Sequence, residues 1–346
     1  MPSAAGVTHR QGSTDGGGSG EDAPVPDAAD TLDRRGFLRV SGAVGLAAVL
    51  AACTSAWAEV RLTVAAGATQ GVYYALGGAL ADVWRDHLSL GARPEVLATD
   101  GSGQNLALLA DGRADIAFSQ IDTAADALAA TPTGPRSPRA LARIYDDATQ
   151  VVVRADSPYR TLADLRGARV SIGAANSGVT PIAQRLLRGA GLDPDRDVRP
   201  AMLGINDSVA AMRDNGIDAF FWSGGVPTLG VSTLAATVPV RLLDLRDVLP
   251  RVRGAYPVYS TGTVPAQTYD IPDPITTLLV RNVLVVPASM PDDVAAALVD
   301  GLFAEQPRLA AASAAALTID ARAAIGTQPV PLHPGAERFY RSTKAL

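Results

Sequence analysis

The chain has almost none of the side chains that enzymes use for nucleophilic or acid–base chemistry. Its 346 residues include one cysteine, Cys53, one lysine, Lys344, and three histidines. A lysine this close to the C-terminus does not fit the lysine of a P-loop, a kinase or a Schiff-base site. Neither the GxSxG motif of hydrolases nor the HExxH motif of zinc proteases occurs. We therefore expect no catalytic residues and a protein that is not an enzyme.

The cysteine content and the charge balance exclude further classes. A single cysteine allows no internal disulfide and no zinc site of the multi-cysteine kind. The chain has 30 Lys and Arg residues against 35 Asp and Glu, and this near balance argues against nucleic acid, which selects a basic surface. Beyond Cys53 no uncharged apolar run reaches the ~18 residues of a membrane-spanning helix. We expect no metal ion, no cofactor and no nucleic-acid partner.

What the chain does have is a pair of arginines ahead of a short apolar run. Arg34 and Arg35 lie in the segment DRRGFLR, and small or apolar residues follow from Val40 to Ala52. This run is long enough for the core of a signal peptide and too short to span a bilayer permanently. The segment resembles the twin-arginine (Tat) export signal, which predicts export of the folded protein by the Tat machinery. The alternative is a buried helix preceded by chance arginines.

The sequence offers two candidate sites for cleavage of the export segment. The sequence LAAC, ending at Cys53, has the pattern of a lipobox, in which this cysteine is lipidated and becomes the mature N-terminus. The segment Ala56-Trp57-Ala58 has the small-x-small pattern of an ordinary signal-peptidase site. Because the only cysteine lies at the lipobox position, we favour a lipoprotein anchored to the cell membrane over a soluble periplasmic or secreted protein. Residues 1–58 are thus predicted to be a disordered lead-in plus the export segment.

From Val60 onwards, short β-rich runs alternate with helical runs, which is typical of parallel sheets with crossover helices. The predicted strands are 60–65, 95–99, 116–120, 149–154, 170–172, 218–222 and 276–286. The predicted helices are 73–87, 104–111, 122–130, 161–165, 181–190 and 207–215. We predict an α/β fold of two lobes joined by a two-stranded hinge, with the ligand cleft between them. Lobe 1 would comprise residues 59–154 and 276–346, and lobe 2 residues 155–275 with the hinge crossings.

Glycine-rich and polar loops follow the predicted strands, where open α/β sheets bind ligands. The candidate ligand-binding residues in these loops are Gly71, Tyr73, Tyr74, Ser102, Asn105, Gln120, Ser177, Gly178 and Trp222. Glycines let the backbone approach a ligand, and N–H groups at helix starts favour anions. The amide of Asn105 offers donors and an acceptor. Plainer alternatives stay open, since aromatic residues can pack in a core and Ser102 can cap its helix.

Taken together, six segments resemble the TAXI group of extracytoplasmic solute-binding proteins of TRAP transporters. They are GVYYALG (71–77), GSGQNL (101–106), DIAFSQID (115–122), LADLRGARV (162–170), DAFF with GVP (218–227), and LHPGA before FY (332–340). The resemblance implies a type II periplasmic-binding-protein fold that closes on a small anionic solute. In that group the solute is an amino acid or a dicarboxylate, such as glutamate or 2-oxoglutarate. It is passed to a TRAP-type membrane permease driven by an ion gradient.

The resemblance assigns solute contacts to the candidate residues other than Gly71, with two departures. Val179 stands where the group usually has threonine, and Asn176 replaces a glycine. Both lie where the solute is expected to contact lobe 2. Two other functions remain open. One is a solute-sensing subunit of a membrane signalling kinase. The less favoured one is a transferase or pyrimidine-precursor synthase on the same scaffold, which would need a cysteine-bound cofactor or a histidine or lysine base.

Overall fold

Ten strands form one sheet at the centre of residues 57–343, the part of the chain that a computed structural model describes. The strands are β1 (Thr63–Ala65), β2 (Glu95–Leu97), β3 (Ile116–Gln120), β4 (Pro138–Arg154), β5 (Arg169–Ser171), β6 (Arg199–Ala201), β7 (Ala219–Gly224), β8 (Val240–Leu242), β9 (Ser260–Val264) and β10 (Ile275–Pro287). The residues predicted to direct export and lipidation, Arg34, Arg35 and Cys53, lie outside the described residues, so their roles stay predictions.

Eleven α-helices accompany the sheet in the described residues. They are α1 (Val72–His87), α2 (Ser102–Ala110), α3 (Ile121–Ala130), α4 (Val179–Gly189), α5 (Ile205–Arg213), α6 (Leu229–Ala235), α7 (Leu249–Ala255), α8 (Asp292–Ala304), α9 (Gln306–Ala312), α10 (Ala321–Ala324) and α11 (Pro334–Ser342). Short 3₁₀-helices lie at Leu162–Leu165, Thr268–Asp270 and Ala314–Thr318. No helix among residues 57–343 has the length and apolar character needed to cross a membrane.

The sheet has two parallel halves separated by antiparallel strands. Its order is β2-β1-β3-β10-β4-β7-β5-β6, with β8 paired to β4 and β9 to β10. Strand β1 runs parallel to β2 and β3, and β5 runs parallel to β6 and β7. We call β2-β1-β3 the first half and β7-β5-β6 the second half. Parallel neighbours need crossover connections, and helices supply them in both halves.

The long strands β4 and β10 connect the two halves. They pair with each other antiparallel, while β10 also pairs with β3 and β4 with β7. The register between them shifts between Arg281 and Val283, so that two residues of β4 stand opposite Asn282. Such a bulge bends the strand and re-aims its side chains. The bulge therefore lies in the middle of the connection between the halves.

Apolar side chains cover both halves of the sheet. Against the first half, α1 buries Trp84, whose indole N–H donates to the carbonyl oxygen of Leu298 in α8 at 2.9 Å. Against the second half, α4 buries Leu186 in a cluster that includes Phe221 of β7. Each fully buried side chain of this kind stabilises the fold by about 1.5–3 kcal/mol. All five residues of β3 are buried, as expected for a strand covered on both faces.

The predicted order of strands and helices is confirmed, and several bounds are corrected. The strand predicted at 149–154 is only the end of the 17-residue β4. Its first part escaped prediction because Arg143, Asp146 and Asp147 interrupt the apolar pattern. The short strands β6, β8 and β9 were not predicted either. The predicted cap of the 161–165 helix is confirmed, since Thr161 forms a capping box with Asp164.

Candidate functional site

A pocket opens at the carboxyl ends of the parallel strands, between the first and second halves. It contains about 650 Å³ of empty space, including its open mouth. The first half contributes residues from the loops after β1 and β2, the second half from the loops after β5 and β6, and β4 and β7 complete the wall. In open α/β sheets this edge is where ligands bind.

Five helices begin at this pocket. The residues that precede α1, α2, α3, α4 and α5 all line its wall, and they are Gly71, Gly101, Gln120, Gly178 and Gly204. None of the five makes a side-chain capping hydrogen bond. The first N–H groups of a helix have no intrahelical acceptor, and the helix dipole adds positive partial charge there. The pocket therefore favours an anion although no Lys, Arg or His lines it.

Glycine is required at two of these turns. Gly101 has φ 115°, a conformation that other residues rarely adopt, and it leads directly into α2. Gly173 follows β5 with φ 95°, and a Cβ there would stand 2.6 Å from the Cβ of Val179. Both turns thus bring backbone, without side chains, to the pocket wall.

A buried carboxylate lies in the same wall. Asp147 of β4 is 1 % exposed, and its Oδ2 accepts hydrogen bonds from Gln120 Nε2 at 3.0 Å and from Ser223 Oγ at 3.4 Å. Burial raises the pKa of Asp147 to about 6, although hydrogen bonding from Gln120, Asn282, Tyr145 and Ser223 acts in the opposite direction. Among residues 57–343 no cation contributes to this balance. Asp147 is therefore a carboxylate with hydrogen-bond donors and without a positive partner in the described part of the chain.

A second set of hydrogen bonds joins four elements beside Asp147. Tyr73 of α1 donates its hydroxyl to Asn282 Oδ1 of β10 and lies 3.5 Å from Ser102 Oγ of α2. Ser102 Oγ in turn accepts from the backbone N–H of Gln120 at 3.0 Å. Burial raises the pKa of the Tyr73 and Tyr145 hydroxyls well above their ordinary value. Both hydroxyls are therefore neutral at physiological pH.

Three buried polar atoms of this wall lack a hydrogen-bond partner among the described residues. They are Asp147 Oδ1, Gln120 Oε1 and Asn282 Nδ2. Leaving such a group unpaired in the interior costs about 1–3 kcal/mol. The two acceptors outnumber the one donor. Among the buried side-chain atoms, unpaired acceptors are therefore in excess.

The two halves touch each other next to the pocket. The backbone of Gly178 lies directly against the side chains of Gln120 and Ser102. Behind them, Arg185 Nη1 of α4 pairs with Asp122 Oδ2 of α3 at 2.7 Å, and both side chains are largely buried. Tyr259 donates to the same Asp122 oxygen at 2.6 Å. The helices that follow β3 and β5 are thus held together by a buried ion pair.

Seven of the nine predicted ligand-binding residues line this one pocket. They are Gly71, Tyr73, Ser102, Gln120, Ser177, Gly178 and Trp222. Trp222 is half-buried, its ring lies close to Gly71, and its indole N–H donates to Thr228 Oγ1 at 3.0 Å. Whether any of the seven binds a solute stays a prediction.

The other two predicted residues do not line the pocket. Tyr74 packs against the apolar cluster of the first half. Asn105 is fully buried, and its amide donates to the carbonyl oxygens of Ala66 and Phe118 and accepts from Thr99 Oγ1 at 2.6 Å. The amide of Asn105 is thus engaged within the protein, and a ligand-binding role for this residue stays a prediction.

Sequence reasoning missed polar residues of β4, β7 and β10. Asp147, Tyr145 and Ser223 line the pocket, Asn282 accepts from Tyr73 beside it, and none of the four was predicted. The available signal was the one that identified Gln120, a polar residue inside an apolar strand. Asn282 interrupts the run LLVRNVLVV in the same way. The departures from the TAXI pattern both lie at the pocket edge, since Val179 lines it and the carbonyl oxygen of Asn176 contacts α2.

The sheet order and the pocket define an α/β protein of the periplasmic-binding-protein class, which confirms the predicted fold class. The chain belongs to the NMT1-like family, which matches residues 64–343. Its assignment to the TAXI group in particular is not shown by these comparisons.

Two solved structures with TM-scores above 0.5 share this fold. A periplasmic transporter of known structure is 16 % identical, with a TM-score of 0.53, over 84 % of this chain and 94 % of that chain. A protein from Bordetella bronchiseptica RB50 is 21 % identical, with a TM-score of 0.51, over 83 % of this chain and 90 % of that chain. The periplasmic aliphatic sulphonate binding protein SsuA of Escherichia coli is 16 % identical, with a TM-score of 0.47, over 81 % of this chain and 82 % of that chain.

Proposed function

We propose that this chain is an extracytoplasmic solute-binding protein that captures a small acid and delivers it to a membrane permease. The observation that carries the proposal is the convergence of five helix starts, none with an N-cap side-chain hydrogen bond, on one pocket between the two halves of the sheet. A carboxylate placed there accepts hydrogen bonds from backbone N–H groups and meets the positive ends of the helix dipoles. One such helix end contributes about 0.3–2 kcal/mol to binding an anion.

The same pocket is poor in groups for catalysis. Its titratable side chains are Tyr73, Tyr145, Asp100 and Asp147, and burial keeps the pKa of both tyrosines far above neutral pH. No histidine, lysine or cysteine among the described residues lines the pocket, so the nucleophile–base pairs that use these residues in covalent catalysis cannot be built there. We therefore propose capture and release of the solute without chemical change.

The finer part of the proposal is a TAXI-type subunit of a TRAP transporter that is exported by the twin-arginine route and anchored through Cys53. The six segments that resemble the TAXI group support it, as does the fold shared with a periplasmic transporter. Glutamate and 2-oxoglutarate are the first solutes to examine. A solute-sensing subunit of a membrane kinase would use the same pocket and would differ in its membrane partner.

Thermal denaturation of the full-length chain in the presence of amino acids, dicarboxylates and 2-oxo acids tests the proposal. A solute that binds only the folded state at 100 times its Kd stabilises that state by about 2.7 kcal/mol and raises the Tm. The Tyr73→Phe variant, which loses a pocket hydroxyl, should bind the same solute more weakly. NMR of the solute after incubation should show it unchanged. A protein that no member of the panel stabilises, or that converts the solute, contradicts the proposal.

A further inference from the structure

We infer that Asp147 recognises a protonated amine, so that the solute of this protein is an acid that also carries an ammonium group. The inference rests on the proposed function and divides its solutes into two classes. Amino acids satisfy it. Dicarboxylates and 2-oxo acids without an amine do not.

The first step of the argument is the charge of Asp147. A carboxylate buried away from water is unfavourable unless a cation or several donors compensate it. Gln120 Nε2 and Ser223 Oγ donate to its Oδ2, and hydrogen bonding from Asn282 and Tyr145 also favours the ionised form. All four neighbours are neutral, and no Lys, Arg or His lines the pocket. The positive charge that would pair with this carboxylate is therefore missing from the wall, and a solute in the pocket is in a position to bring it.

The second step is the set of unpaired acceptors. Asp147 Oδ1 and Gln120 Oε1 are buried and have no partner among residues 57–343. Both residues line the pocket, and both are at least nine-tenths buried. An ammonium group has three N–H donors and no acceptor. It matches two unpaired acceptors, one of them charged, better than a carboxylate or a ketone does.

The third step is the contrast within one pocket. The five helix starts favour negative charge, while Asp147 opposes it and favours positive charge. A solute with both charges satisfies both parts of the wall. A solute with negative charge alone would meet a buried like charge, which costs several kcal/mol in a binding site.

Calorimetry on the full-length chain tests the inference with matched pairs that differ in the amine. L-glutamate is compared with glutarate, which lacks the amine, and with 2-oxoglutarate. The other amino acids are compared with their 2-oxo acids in the same way. We expect the amine-bearing member of the bound pair to bind at least about thirtyfold more tightly, the lower end expected for a buried charge pair.

Two variants separate recognition from folding. Asp147→Asn keeps the size of the side chain and removes its charge. It should lower the affinity for the amine-bearing solute at least about thirtyfold. Asp146→Asn is the matched control, because Asp146 is the next residue on β4 and its Oδ2 pairs with Arg143 Nη2 at 2.8 Å. It should leave the affinity unchanged. Circular dichroism of the solute-free variants verifies that both are folded.

The outcomes are distinct. If an amine-free acid binds the wild type as tightly as its amine-bearing partner, the inference is overturned and the proposed function stands. If the folded Asp147→Asn variant binds the amine-bearing solute as tightly as the wild type does, the inference is likewise overturned and the proposed function stands. If no acid of either kind binds, the proposed function fails and the inference with it. Should Asp147→Asn not fold, the wild-type preference between matched pairs still decides.

Discussion

The backbone N–H of Gln104 donates a hydrogen bond to the carbonyl oxygen of Asn176, 2.9 Å away. Gln104 belongs to the first turn of α2, and Asn176 lies in the loop that leads to α4. The bond therefore joins the two halves of the sheet beside the pocket. Ligand-driven closure of a two-lobed binding protein depends on contacts that exist in the closed state alone. This bond is a candidate for such a contact.

Replacing the neighbouring glycine should remove this contact. A Cβ on Gly103 would stand 2.6 Å from the Asn176 carbonyl oxygen, and the three atoms nearest to it all belong to Asn176. We expect Gly103→Ala to leave the first half intact and to disfavour the contact with the second half. Overpacking of this kind costs about 1–3 kcal/mol, so solute affinity should fall roughly tenfold or more by calorimetry.

The control for that variant is Gly254→Ala. Gly254 lies in α7, and an added Cβ meets no atom within 4 Å. This substitution should leave solute binding unchanged and stabilise the protein slightly, since alanine favours helices by about 1 kcal/mol over glycine. Equal effects of the two variants on affinity would show that contact between Gly103 and Asn176 plays no part in binding.

Binding of an amine-bearing solute should weaken in acid. The pKa of Asp147 in the folded protein is about 6, and an ammonium group binds the ionised form. The groups that face Asp147 from the neighbouring elements, Gln120, Ser223 and the high-pKa tyrosines, do not titrate near pH 6. Lowering the pH from 7.5 to 5 should therefore reduce affinity about tenfold by calorimetry. A flat profile from pH 5 to 7.5 would contradict the role of Asp147.

Asp147 should also make the stability of the solute-free protein depend on pH. Its pKa is raised from 3.8 to about 6 on folding, so the folded chain holds the proton more tightly. The resulting stabilisation is complete below about pH 3.8 and is lost as the pH rises through 6. Asp147→Asn removes this dependence. The unfolding free energy of the variant relative to the wild type should therefore increase by about 1.4 kcal/mol between pH 5 and pH 8. Urea unfolding at both values measures it, and a constant difference would refute the raised pKa.

Asn105→Ala should act on stability. The side chain of Asn105 bonds the backbone of β3, the residue after β1, and Thr99. Its removal leaves two buried carbonyl oxygens, those of Ala66 and Phe118, without these donors. We expect a loss of about 2–4 kcal/mol in the free energy of unfolding, measured by urea denaturation. A fully stable variant with weakened solute binding would instead place Asn105 in the binding site.

Much of the fold followed from the sequence because local patterns and tertiary structure agree. The strand Ile116–Gln120 was predicted with its observed bounds, since a short, mainly apolar run lies between clear turn and helix-start signals. The first part of β4 was not predicted, because charged residues interrupt its apolar pattern. Two of them, Arg143 and Asp146, form an ion pair with each other. Strands of three residues, such as β6 and β8, are too short to leave a periodic pattern.

The candidate site was predictable in its loops and at two strand positions, Gln120 and Trp222, and not in the connecting strands β4 and β10. Loops at the ends of parallel strands are identified by glycine and polar residues, and seven predicted residues meet in one pocket. The residues Asp147 and Asn282 come together through the pairing of β4 and β10 with their neighbours, across more than a hundred residues of sequence. Nothing local in the sequence specifies that pairing, so only the three-dimensional structure brings the buried carboxylate to the wall.

The strands that carry Asp147 and Asn282 are the same strands that carry the sheet from one half to the other. Any rotation of one half against the other must twist this ladder, and the twist turns both side chains with it. Under the proposed function, the same two strands therefore carry both the solute contact and the bending between the halves. Substitutions that stiffen the paired strands β4 and β10 far from the pocket should therefore change the affinity for the solute.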